Sequence, residues 1–208
     1  GSNMALNFAN NNSLSAVTAL PASISGGNIN LISTTTASSS STVSIASGID
    51  STYKEYIVKF YDVHPETDNN TSTNFFLVNF RDGSTDYDAT KTTTVFRAYH
   101  FEDGSGGVGV QYQSDHDLAQ STGFQKLAQG MGNDNDQCVA GTLHLFDPSN
   151  TTFVKHFLCE TSNIHTDNGA YRWDIAGYIN TTSAIDGIQF KMTTGNIDSG
   201  TFKLYGVS

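Results

Sequence analysis

Short apolar runs broken by turn residues fill the stretch from Tyr53 to Tyr99, and they decide what this chain can fold into. Tyr53-Lys54-Glu55-Tyr56-Ile57-Val58-Lys59-Phe60-Tyr61 leads into a turn at His64-Pro65-Glu66-Thr67-Asp68-Asn69-Asn70. Phe75-Phe76-Leu77-Val78-Asn79-Phe80 follows, then the polar loop Arg81–Asp88, then Lys91-Thr92-Thr93-Thr94-Val95-Phe96-Arg97-Ala98-Tyr99. Aromatic and β-branched residues suit a pleated, half-buried surface, and turn chemistry at such short intervals predicts antiparallel strands. Within the first run Tyr56, Val58 and Phe60 form the more apolar alternate set and are assigned to the core.

The same alternation continues on either side. Asn28–Ile32 and Thr42–Ile45 read as short strands joined by a flexible loop over Thr34–Ser41. Val108–Tyr112, Tyr171–Asn180, Ile185–Met192 and Gly200–Val207 read as further strands. Asp115–Gln120 suggests one helical turn, and Phe124–Ala128 is a strand or a second short turn. The expected fold is all-β: a two-sheet antiparallel, jelly-roll-like β-sandwich of about ten strands. Residues 28–208 form its single domain, a size that one all-β unit can fill.

Asp147-Pro148-Ser149-Asn150 is a turn with Pro and Asx in favoured roles, so Gln137–Phe146 and Thr151–Glu160 are expected to form a hairpin. A four-residue loop pairs Phe146 with Thr151 and sets Cys138 opposite Cys159. On that register Val139, Leu143 and Leu145 share the core face with Val154 and Leu158, and His144 and His156 lie on opposite faces. A Cys138–Cys159 disulfide then becomes a candidate. Two buried thiols are the favoured alternative, since no export signal is recognisable.

The chain carries 10 Lys+Arg against 20 Asp+Glu, a formal net charge of −10. That balance lacks the cationic footprint for phosphate backbones or anionic lipid, so neither nucleic acid nor membrane is an expected partner. No run approaches the ~18 apolar residues of a membrane span. Gly1-Ser2-Asn3 reads as a cloning scar, and residues 4–27 as an extended, uncharged N-terminal arm. The arm is either a loosely ordered terminus or a segment that orders against a neighbouring subunit.

The candidate chemistry is sparse. Asp82, Ser84, Asp86 and Asp88 alternate as calcium ligands do, but the sixth-position glycine and the closing Glu are missing. Calcium at Asp82, Asp86 and Asp88, or at Asn133-Asp134-Asn135-Asp136, competes with an ordinary Asx-rich turn. Trp173 with Tyr171 and Tyr178 is the candidate glycan-stacking platform, although Trp173 alternates in phase with Ile175 and Ile179, as a core residue would. No zinc spacing, CxxC pair or nucleophile elbow occurs. A pair of acids could cleave a glycosidic bond, but nothing singles one out. The expectation is a chain that is not an enzyme.

Three segments carry a family resemblance. Ile49-Asp50-Ser51-Thr52-Tyr53-Lys54-Glu55-Tyr56 leads to Val63-His64-Pro65 and Asp82–Asp88. Gly177-Tyr178-Ile179-Asn180 comes later, then Gly187-Ile188-Gln189-Phe190 and the terminal Gly200-Thr201-Phe202-Lys203-Leu204-Tyr205-Gly206. Over roughly residues 45–207 this layout resembles the β-sandwich virion proteins of tailed bacteriophages, those of marine phages especially. The resemblance implies a structural component of a virion: tail fibre, tail or head decoration. The resemblance implies a component that is often oligomeric; the expectation drawn from it is association with other virion proteins, a homo-oligomer such as a trimer, and host-glycan contact through loops such as Asp82–Asp88 and Asn133–Asp136. It carries over no catalytic residue. A stand-alone carbohydrate-binding module or lectin is the alternative.

Overall fold

Two stacked sheets bury the apolar side chains of this chain's strands against each other. The computed structural model describes residues 28–68, 73–104 and 107–208; the arm read over residues 4–27 lies outside them. Twelve strands run in chain order: β1 (Ile29–Ser40), β2 (Val43–Ile45), β3 (Glu55–Pro65), β4 (Phe75–Arg81), β5 (Lys91–Phe101) and β6 (Gly109–Tyr112), then β7 (Gln125–Gln129), β8 (Val139–Phe146), β9 (Lys155–His165), β10 (Gly169–Ile179), β11 (Gly187–Met192) and β12 (Ile197–Val207). Every pairing is antiparallel. An eight-stranded sheet has the order β1-β12-β3-β8-β9-β10-β5-β6, and a four-stranded sheet the order β2-β11-β4-β7. The early strands pair with the late ones, β1 with β12, β2 with β11 and β5 with β10, so the described chain doubles back on itself.

Four phenylalanines join the sheets. Phe60 on β3 and Phe202 on β12 come from the large sheet, Phe76 on β4 and Phe190 on β11 from the small one, and all are 0–1% exposed. Their ring centroids lie 5.1–6.3 Å apart in every pairwise combination. Gly141 on β8 leaves the room for the Phe60 ring, since a Cβ there would sit 2.7 Å from it. Tyr56, Val58 and Phe60 face this core as their alternation predicts.

Three expectations are corrected. Thr34–Ser41 is not a flexible loop, because residues up to Ser40 extend β1 and pair with β12 from Ile29–Val207 through Ser40–Ile197. Three β-branched threonines in a row favour the strand, and β12 supplies the backbone partners. Asp115–Gln120 forms no helical turn. It lies along β5 instead, with the Leu118 amide donating to Thr93 Oγ1 and Asp117 Oδ1 accepting from the Val95 amide.

The β8–β9 hairpin has a longer loop than its turn signal suggests. The Asn150 side chain accepts from the Thr152 and Phe153 amides at 2.7 and 2.8 Å, holding the chain out of the ladder. Pairing begins at Phe146 with His156 rather than Thr151. That shift of five positions is odd, and an odd shift reverses the faces of a strand. Phe157 and Cys159 therefore point into the core and Leu158 points out, 47% exposed. His144 and His156 now share the outer face. Cys159 lies opposite Leu143, whereas Cys138 precedes β8 at its far end; both thiols are free. The disulfide is ruled out by register.

Two pieces of the family resemblance meet in space. The Tyr53 ring lies over Gly206, where a Cβ would fall 2.2 Å from it. Tyr53 packs edge-on against Tyr56, whose hydroxyl bonds Asp50. Gly206→Ala should cost about 1–3 kcal/mol by overpacking. Adding Tyr53→Ala to that variant should cost less than Tyr53→Ala costs the parent chain. A denaturant double-mutant cycle reads the coupling, and strict additivity would disprove the contact.

Candidate functional site

Alternation along β10 sends Tyr171, Trp173, Ile175 and Ile179 inward and Arg172, Asp174, Ala176 and Tyr178 outward. Trp173 is 1% exposed and Tyr171 5%, so neither is open to a sugar, and the stacking platform is corrected to core packing. The Trp173 indole N–H donates to Asn163 Oδ1 at 3.0 Å, which meets its need for a partner inside the core. Tyr178, on the opposite face, is only half-buried and cannot join them.

These inward rings belong to a cluster at the side of the sandwich, where the eight-stranded sheet extends beyond the four-stranded one. The Arg97 guanidinium lies 5.2–5.4 Å from the ring centres of Tyr99, Tyr171 and Trp173. His165 stacks on Tyr171 at 4.6 Å and His116 on Trp173 at 5.2 Å. Asp167 accepts from the Tyr171 hydroxyl and pairs with His165. Burial pushes the Tyr171 phenol up to about 12 and lowers the His165 imidazole. The His116 pKa falls to about 4, by burial first and the Lys126 cation second. This cluster holds its charges and rings against one another.

Two buried lysines have no counterpart in the sequence reading. Lys91 and Lys155 both lie opposite Ile179 on neighbouring strands, and both are fully buried. Lys91 Nζ donates to the carbonyls of Ala89 and Gly123, and Lys155 Nζ to those of Thr181 and Ser183. They tie down loops at one end of the sandwich. Nothing in their sequence neighbourhood marks them, because a lone Lys in a polar-apolar alternation reads as solvated.

The acidic loops do not converge. Asp86 closes a local turn with Ser84, while the charges of Asp88 and Asp82 act on Lys91 and Lys155 respectively. Among the described residues no three or more His, Cys, Asp or Glu side chains are grouped to hold a metal. Asp82, Asp86 and Asp88 lie in a local polar turn, and Asn133 and Asp134 brace the Glu66 and His64 segment.

The remaining candidate is the outer face of the eight-stranded sheet, on which no other described strand packs. At its centre Arg172 on β10 donates to Asp174 on its own strand at 2.9 and 3.1 Å and to Glu160 on β9 at 3.0 Å. Glu160 and Asp174 are direct cross-strand partners. Two carboxylates in that relation repel, and the guanidinium between them offsets the repulsion. The surrounding floor is small: Ala98, Ala140, Ala170, Ala176 and Ser162 occupy the neighbouring outward positions. Tyr61 and Lys59 border a depression of about 500 Å³ on one side of Arg172. Phe96 and Leu158, 44% and 47% exposed, border the other. The sequence hides this site because the four-residue hairpin loop assigns Glu160 to the wrong face.

No family model matches the chain, and no curated protein matches it. Among solved structures it is similar to a structural-genomics protein of unknown function from Bacteroides ovatus, at 5% sequence identity and a TM-score of 0.27. The likeness covers 74% of this chain and 89% of that one. At that score it carries no argument.

His116 sets an acid limit on the fold. Its folded pKa of about 4 lies below the unfolded value near 6.5, so between those values the unfolded chain takes up a proton that the folded chain refuses. Stability is complete above about pH 6.5 and should fall by up to about 3 kcal/mol on acidification to about pH 4. His116→Phe, which keeps a ring on Trp173, should flatten much of that fall in urea melts across this range, with His165 supplying the remainder. An unchanged acid loss would remove His116 from the account.

Proposed function

We propose that this chain is a non-enzymatic structural protein of a tailed-phage virion, one that offers the outer face of its large sheet to glycans of the host surface. The phage setting rests on the sequence resemblance. The contact role rests on one observation, the Arg172–Glu160–Asp174 cluster on a floor of small side chains bordered by Tyr61, Phe96 and Leu158. A sugar has an apolar C–H face and a rim of hydroxyls, so it needs apolar walls beside fixed charged donors and acceptors. This face has both. Glu160 and Asp174 share one guanidinium, an arrangement that favours binding over acid–base work. A stand-alone carbohydrate-binding module would use the same face without a particle.

Glycan-array binding followed by calorimetry tests the reading. Arg172→Ala should weaken binding at least tenfold while the circular dichroism spectrum stays that of the parent, since the Arg172 side chain is 57% exposed. Absence of any glycan ligand, or equal affinity in the variant, would overturn it. Co-sedimentation with phage particles separates the virion component from the free module.

A further inference from the structure

The longest border of the structure lies at the opposite end of the large sheet from β6. β1 is an outermost strand of twelve residues, bonded to β12 on one side and to no described strand on the other. A strand in that position presents alternate backbone N–H and C=O groups that require a partner, whether water or another strand.

The other three borders are blunted. β2 has three residues and β6 four. β7 has five, carries Lys126, and meets β4 through an irregular register. Short length, a lysine and a bulge are the usual protections against edge-to-edge pairing. β1 has few of them. Its sequence, Ile-Asn-Leu-Ile-Ser-Thr-Thr-Thr-Ala-Ser-Ser-Ser, contains no charge, no proline and no glycine. Its one register irregularity lies between Leu31 and Ser33, leaving Ser33–Ser38 in unbroken alignment with β12.

Charge selects the partner. Two copies of a chain with net charge −10 repel, and they can meet closely only where acids are absent. No charged residue occurs between Asn28 and Ile49, and the charged side chains in line with Thr34 on the outer face of the next two strands are Lys203 and Lys59. The border is therefore neutral with a basic flank, on an acidic molecule, and is self-compatible where the rest of the surface is not.

We infer that the free edge of β1 pairs antiparallel with the same edge of a second copy about a twofold axis, joining the two large sheets into one continuous sheet. The pleat restricts the register. Thr34 and Thr36 point to the outer face, and Thr35 and Ala37 to the inner face. Directly paired residues must share a face, so the axis falls on a residue of β1 facing its own copy rather than between two residues. Threonines then line the outer side of the junction, where cross-strand Thr pairs are favourable. The pairing leaves Arg172 and its neighbours uncovered, and it holds whether or not that face binds a glycan.

Light scattering on the full chain, at moderate salt and over a range of concentrations, tests this. The parent chain should have the mass of a dimer. The double variant Thr34→Lys, Thr36→Lys places two cations on exposed outer positions of the edge, a substitution that natural edge strands tolerate. It should raise the dimer dissociation constant at least tenfold with an unchanged circular dichroism spectrum. Arg172→Ala should leave the mass unchanged. A second edge variant, Thr36→Pro, removes a backbone donor and should also yield monomer. A parent chain that is monomeric or trimeric, or a dimer that survives both edge variants, would overturn the inference.

Discussion

The contact among Phe60, Phe76, Phe190 and Phe202 is what makes two sheets one molecule. Each ring touches the other three, and each sheet supplies two of them. The four strands that carry them are also those that pair early chain with late chain, so the rings fix both the stacking and the topology. Interiors are packed as tightly as organic crystals, and truncating one such ring commonly costs about 3–5 kcal/mol. The glycine at position 141 belongs to the same device, because any larger residue would displace Phe60.

With that quartet fixed, the alternation of every strand in the large sheet is fixed as well. Aromatic and aliphatic side chains fill the inner face. The outer face is left with alanine, serine and threonine around a guanidinium and two carboxylates. The same register that buries Trp173 exposes Arg172 one residue earlier. The position of this outer cluster is therefore a by-product of core packing, whereas the small floor and the shared guanidinium are separate sequence choices.

Much of the fold was legible in the chain. Apolar runs between turn residues located β3, β4, β5, β10 and β12, and two-residue periodicity put Tyr56, Val58 and Phe60 inside, because half-buried strands must alternate. The site was not legible, for a reason that traces to Asn150. A Pro-Ser-Asn turn gives no outward sign that the asparagine will also hold Thr152 and Phe153 out of the ladder. Five extra loop residues on one strand become an odd register shift, and Cys159, Leu158 and Glu160 all change sides. Trp173 shows the opposite case. Its phase with Ile175 and Ile179 already placed it inside, and only its reputation as a sugar-stacking residue argued otherwise. Lys91 and Lys155 were invisible, since their partners are backbone carbonyls of distant loops.

The pairing of β1 with β12 also sets the order in which this protein can mature. Contacts between residues far apart in sequence are slow to close, because the intervening chain must first be confined. β1 leaves the ribosome early and β12 late, with nearly every described residue between them. Until β12 arrives, β1 has two unpaired borders instead of one, both uncharged. Nascent copies on neighbouring ribosomes are thus exposed to strand exchange until β12 is made, and closing β12 into the sheet is the step that reduces a promiscuous strand to a single defined edge.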